Sequence, residues 1–259
     1  MQQADRYHRH LFFGALLLAV LASGCAGSEA PPGDSNGEAT IVHSGEDEAI
    51  GIPFEDDGTL ITLRGHFYGP LNEVGVILSH MLPSDQSAWS EFAEELAEEG
   101  YAVVTFDFRG FGETGGEGER DFSMLDEDLS KAVGFLRDRG KQQIFLIGAS
   151  MGGTTSLVVA AREDVAGVVA VSAPAQFEDQ DALAAVASIT EPKLLPKLFI
   201  ASEDDTAAVS SLAALIGASG EPKEEQIYTG ARHGTDLLQG EHAAAFFELI
   251  LEFLREHSS

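Results

Sequence analysis

The chain has 259 residues, 15 Lys and Arg against 43 Asp and Glu, a formal charge of −28 and a single Cys. Its length supplies ample material for a core, and a hydrophobic content of 44% belongs to a globular rather than a disordered protein. The charge excludes nucleic acid as a partner, because a phosphate backbone is bound by Lys and Arg that displace its counterions, and one Cys excludes an intrachain disulfide.

Residues 1–10 carry Arg6 and Arg9, and Leu11 to Ala22 then run apolar over about a dozen residues, the length of a signal-peptide core. Spanning a bilayer takes about 20 apolar residues, so the run is too short for a membrane helix. It ends in Leu21-Ala22-Ser23-Gly24-Cys25, which resembles the lipobox of bacterial lipoproteins. The resemblance implies a signal peptide over 1–24, lipid attachment at Cys25 and a membrane anchor on the bacterial cell envelope, with plain secretion as the alternative. Residues 25–40 are rich in Gly, Pro, Ser and acid and read as a flexible tether. The folded domain is expected over 41–259.

Strand-like runs then alternate with helical patterns. Residues 59–68 read as early strand and 74–79 as a buried strand, while 91–100 put Phe92, Leu96 and alanines on one face and glutamates on the other, an amphipathic helix. A strand at 101–108, a helix at 123–140 with Leu125, Leu129, Val133 and Leu136 inward, and a strand at 143–148 follow. A helix from Met151, strands at 166–171 and 197–201, a helix near 207–217, a strand at 226–229 and a helix at 243–255 complete the chain. Short apolar strands separated by amphipathic helices predict an α/β fold, a mostly parallel central sheet with helices on both faces.

Three motifs could carry chemistry. G-x-S-x-G occurs at 33–37, in the tether, where Ser35 has no strand before it, and at 148–152, where an apolar strand precedes it and a helix follows. The second context is that of a nucleophile elbow, which makes Ser150 the candidate nucleophile. The G-x-G-x-x-G at 110–115 is followed by acidic, loop-like sequence where a dinucleotide site needs a helix N-terminus, so no nucleotide cofactor is expected. A serine needs a base and the base an orienting carboxylate. His233, in the loop after the last strand, is the candidate base, whereas His242 and His257 flank the final helix and are expected to face solvent. Asp204 and Asp205 follow a strand, one as orienter and the other as cap of the next helix.

These segments resemble the α/β-hydrolase superfamily over residues 58–257. SHMLPSDQSAW (79–89) looks like its oxyanion segment, FDFRGFGET (106–114) like its Asp-x-Arg-Gly-x-Gly-x-Ser segment, and GASMGG, FIASEDD and GARHG like the elbow, acid and histidine segments. Met81 stands where the family usually has Gly, and Glu113 where it often has Ser. The resemblance implies a serine hydrolase acting through Ser150, His233 and an acid, Asp205 favoured over Asp204 by its spacing from Ser202. It also implies an oxyanion hole from the backbone N–H of Met151 and of Leu82, with Met81 as the alternative to Leu82. Asp107, Arg109 and His80 read as scaffold.

About 25 residues separate Val171 from Lys197, which leaves room for a minimal cap at most and implies an open site for small ester or acyl substrates. Peptidase or acyltransferase chemistry, and a binding protein that retains the fold, are the alternatives. His233, His242 and His257 have no compact ligand spacing, so the sequence marks neither a metal site nor a cofactor. Oligomeric state is left open.

Overall fold

The computed structural model describes residues 47–70, 73–115, 120–190 and 194–258, all within a unit running from Val42 to Ser259. The expected signal peptide, Cys25 and the tether lie outside the described residues.

The described residues open with a hairpin. β1 (Glu48–Asp56) pairs antiparallel with β2 (Thr59–Tyr68) through Asp57 and Gly58, whose φ values of 45° and 79° give the two-residue turn that matches strand twist. The hydrophobic pattern marks β2 but not β1, which buries only Ile50 and Ile52 and contains Pro53, a residue tolerated at a sheet edge. The Asp-Gly pair was the signal that marks it.

Alternation then sets in: β3 (Val74–Ser79), α1 (Ser90–Glu98), β4 (Ala102–Phe106), α2 (Leu125–Asp138), β5 (Gln143–Ala149), α3 (Met151–Arg162) and β6 (Gly167–Val171). A small ribbon, β7 (Gln176–Phe177) with β8 (Gln180–Asp181), and α4 (Ala182–Ser188) lie between β6 and β9 (Lys197–Ser202). They are the described structured elements of that connection, a minimal cap. The remainder is α5 (Thr206–Ala218), β10 (Lys223–Tyr228) and α6 (Ala243–His257).

Eight strands form one sheet in the order β1-β2-β4-β3-β5-β6-β9-β10, parallel from β4 to β10 and antiparallel at β1–β2 and β2–β4. The central strands are apolar throughout because both faces are covered. Ile77, Val104, Leu146, Val168 and Phe199 point to a core shared with α2, α3, α4 and α5. Val76, Val103, Ile147, Val169 and Leu198 point to the other core, closed by Phe92 and Leu96 of α1 and by Phe246, Ile250 and Leu254 of α6. The period-two alternation of strands thus meets the helical stripes predicted for α1 and α2.

This strand order contains a reversal. From β3 the chain moves to β4 on one side, then crosses to β5 on the other. Crossovers that diverge on opposite faces leave a crevice at the carboxyl ends of the two strands, where open α/β sheets bind ligands. Ser79 ends β3 opposite Gly148 of β5, so the segments after both strands open into that crevice.

Candidate active site

Ser150 sits directly past β5 and directly before α3. Its φ of 48° and ψ of −115° are strained for any residue with a Cβ, and the conformation persists because neighbours over-determine it. The Ser150 N–H donates to Val171 O at 2.8 Å, and the Ser150 carbonyl accepts from Thr154 N at 3.0 Å. The turn is tight enough that a Cβ on Gly148 would stand 2.2 Å from Gly152 O, and one on Gly152 would stand 2.4 Å from Ser79 O. Only glycine allows β3, β5 and α3 to approach so closely here. Met151 is the first residue of α3, a position whose N–H has no partner within the helix.

On the β3 side, His80 is fully buried, and burial pushes its imidazole below the ordinary histidine value. Its Nε2 accepts from Phe108 N at 3.2 Å, so the proton sits on Nδ1, which donates to Met81 O at 3.1 Å. Ser84 Oγ donates to the same carbonyl at 3.1 Å. A trans peptide holds its C=O and N–H on opposite sides, so fixing the Met81 carbonyl turns the Leu82 N–H away from His80. Leu82 itself is half-buried.

The histidine and acid segments meet. His233 Nδ1 lies 2.5 Å from Asp205 Oδ2, with the imidazole side chain 40% exposed and the carboxylate mostly covered. Asp205 Oδ1 also accepts from Ala208 N at 3.3 Å and thereby caps α5. Orienting and capping, expected of different aspartates, fall to one carboxylate whose two oxygens face different ways. Asp204 instead engages through its backbone, donating to Gly230 O at 2.9 Å.

The backbone on either side of His233 is held by serines. Ser202 Oγ donates to Arg232 O at 2.7 Å, and Gly234 N donates to Ser172 Oγ at 3.0 Å. Ser172 follows Val171, whose carbonyl holds Ser150, so the elbow and the histidine loop hang from adjacent residues at the carboxyl end of β6. A Cβ on Gly234, φ +54°, would stand 2.5 Å from Met81 Sδ and 3.2 Å from Ala149 Cβ. The residues beside His233, Ser150 and Leu82 are therefore in van der Waals contact at the carboxyl edge of the sheet.

The charged segment after β4 is structural. Asp107 accepts from Gln86 N at 2.8 Å and from Glu113 N at 2.7 Å, which ties the loop after β3 to the loop after β4. Glu113 serves through its N–H, so its departure from Ser leaves this contact intact. Arg109 pairs with Asp56 at 2.6 Å and with buried Asp128 at 2.7 Å. Gly110, Gly112 and Gly115 lie in this turn, and among the described residues the next α-helix, α2, begins only at Leu125. His242 and His257 were expected in solvent, yet their side chains are only 20% and 17% exposed, packed against Tyr228 and Phe253 respectively. Neither is part of this site. A groove of about 550 Å³ between α1 and α6, lined by Phe92, Leu238 and Phe247, also contains none of Ser150, Asp205 and His233.

Sheet order, covering helices and the elbow at the switch point define an α/β hydrolase. Residues 73–223 match the family described as serine aminopeptidase, S33, and the chain belongs to that family. The matched span includes Ser150 and Asp205, and His233 lies beyond it. The chain is similar to the Pyrococcus furiosus esterase Pf2001 at 21% identity and a TM-score of 0.67, over 83% of this chain and 92% of that one. The α/β hydrolase GrgF from Penicillium sp. sh18 gives 20% identity and a TM-score of 0.69, over 82% and 99%. An esterase domain from Rhodothermus marinus gives 22% and 0.63, over 82% and 99%. At these identities the likeness shows the fold. Among curated proteins, the quorum-quenching protein AidA of Acinetobacter baumannii is 28% identical over 117 residues, which is 42% of this chain and 38% of AidA.

Proposed function

We propose that the protein is a serine hydrolase that cleaves carboxylic esters through an acyl-enzyme, with Ser150 as nucleophile, His233 as general base and Asp205 as the carboxylate that orients it. The observation that carries this reading is the strained Ser150 turn at the switch point, beside a His233–Asp205 pair 2.5 Å apart. Ser150 Oγ attacks the carbonyl carbon as its proton passes to His233 Nε2, while Nδ1 stays on Asp205. The oxyanion that forms takes hydrogen bonds from the N–H of Met151, which has no partner within its helix, and of Leu82, aimed by the His80 and Ser84 contacts to Met81. His233 then returns the proton to the departing alcohol, and a water activated by the same imidazole releases the acid.

The family's description supports a second reading, in which the same residues cleave an aminoacyl amide. The two differ in leaving group, which the shape of the site selects. Export on a lipid anchor at Cys25 is part of the proposal and rests on the N-terminal sequence.

Purified protein lacking residues 1–24 is assayed on p-nitrophenyl esters of increasing chain length, then on aminoacyl anilides. Ester turnover together with Ser150-dependent fluorophosphonate labelling supports the first reading, and anilide turnover alone supports the second. Ester hydrolysis undiminished in Ser150→Ala would overturn both.

A further inference from the structure

At the end of the sheet opposite Ser150, where the parallel strands begin and α6 ends, three side chains converge. Glu224 is the second residue of the edge strand β10, and Glu256 and His257 close α6. One oxygen from each carboxylate and a ring nitrogen of His257 all lie within 4.8 Å of one another. His257 Nε2 is shielded from solvent and makes no hydrogen bond to any described residue, although Glu224 Oε1 is 3.7 Å away. That gap is too long for a hydrogen bond. It is close to the spacing of two ligands on one small cation, since bonds of about 2.0–2.2 Å in a tetrahedral shell put donor atoms about 3.3–3.6 Å apart.

We propose that Glu224, Glu256 and His257 bind a divalent transition-metal ion of the Zn²⁺ class, which clips β10 to the end of α6. The donor set selects the class. Imidazole nitrogen with two carboxylates suits zinc and its first-row neighbours, whereas Mg²⁺ and Ca²⁺ take oxygen. The field favours a cation as well, because the carbonyls that end α6 carry the negative pole of the helix and the chain bears a net −28. The sequence hides the site, since Glu224 and Glu256 come from different elements and have no ligand spacing along the chain. The metal would act on stability, by RT ln(1 + [L]/Kd), and not on the chemistry at Ser150.

Chelator-treated, untagged protein is titrated with ZnCl₂ by calorimetry, with MgCl₂ as control, and its Tm is measured with and without zinc. The expected result is saturable Zn²⁺ binding, a rise in Tm, no response to Mg²⁺, and binding weakened about ten-fold or more in Glu224→Gln and His257→Ala. Glu224→Gln, a change on the exposed rim, decides the matter if His257→Ala does not fold. Absence of saturable Zn²⁺ binding, or binding undiminished in Glu224→Gln, overturns the site and leaves a simple imidazole–carboxylate contact.

Discussion

The hydroxyl of Ser202 donates to the carbonyl of Arg232 at 2.7 Å, fixing the residue before His233 to the end of β9. Ser172 accepts from the residue after it, so the imidazole is carried on a backbone held at both flanks. Both serines are buried; removing the Ser172 hydroxyl strands the buried N–H of Gly234 at a cost of about 1–3 kcal/mol, and removing that of Ser202 unties the part-buried Arg232 carbonyl at a smaller cost. Ser202→Ala and Ser172→Ala should therefore lower Tm and reduce kcat about ten-fold while KM stays near wild type. A fall in Tm with kcat unchanged would show that the clamps serve the fold alone.

Ser150 stores backbone strain at the turn where the proposed nucleophile must project. Glycine reaches φ 48°, ψ −115° without a Cβ penalty, whereas alanine does not. Ser150→Gly and Ser150→Ala should both lose activity by about 10⁴-fold or more. Ser150→Gly should nevertheless be the more stable of the two by about 1 kcal/mol, within the range of such backbone strain. Chemical denaturation of the pair measures the difference, and equal midpoints would mean that the turn is relaxed.

The double duty of Asp205 separates two substitutions. Asn can still accept from Ala208 N and cap α5, but it gives His233 no negative partner, so Asp205→Asn should keep near-native Tm and lose about 10⁴-fold in kcat. Asp205→Ala should lose the same activity and about 1 kcal/mol of stability besides. Asp204→Asn should leave both nearly untouched, because Asp204 engages through its backbone. Steady-state kinetics and melts on the three variants test the assignment, and activity lost in Asp204→Asn instead would exchange the two roles.

Much of this was legible along the chain, for physical reasons. Buried parallel strands must be apolar and their covering helices striped, so 74–79, 143–148 and the helices at 91–100 and 123–140 declare themselves by period. The elbow was readable because G-x-S-x-G carries meaning only between a strand and a helix, which dismisses Ser35. Properties created by folding stayed hidden. Nothing in Ser172 or Ser202 marks a hydroxyl that will meet a loop 62 or 30 residues away. The two oxygens of Asp205 look identical until α5 and His233 approach from different sides. β1 was missed because an edge strand needs few apolar residues, and His242 and His257 were misjudged because flanking a helix does not say which neighbours cover it.

His80 makes the fold sensitive to acid. Its native tautomer accepts from Phe108 N, and a second ring proton would set two N–H groups against each other in a buried site. Burial lowers its native pKa, so below the ordinary value near 6.5 the unfolded chain binds the proton more readily and stability falls with pH. The limiting slope for one proton is about 1.4 kcal/mol per pH unit. Tm should thus decline as pH drops from 7.5 toward 5, above the range where carboxylates titrate. His80→Asn, which keeps a donor and an acceptor, should start lower and decline less; an unchanged slope would place the acid sensitivity elsewhere.

Charge should filter substrates at the proposed ester site. With −28 on the whole chain, an anionic ester approaches against a repulsive field and a neutral one does not. Screening shortens that field to about 10 Å at 0.1 M salt and about 3 Å at 1 M. Matched neutral and anionic esters of equal acyl length should therefore differ in kcat/KM at low ionic strength, neutral favoured, and the gap should close as salt is raised. The difference should appear in kcat/KM rather than in kcat, because repulsion acts on encounter and binding, whereas the acyl-enzyme chemistry proposed at Ser150 would proceed among fixed neighbours. Equal turnover of the two esters at low salt would mean that the carboxylates lie too far from the approach to the site to act on it.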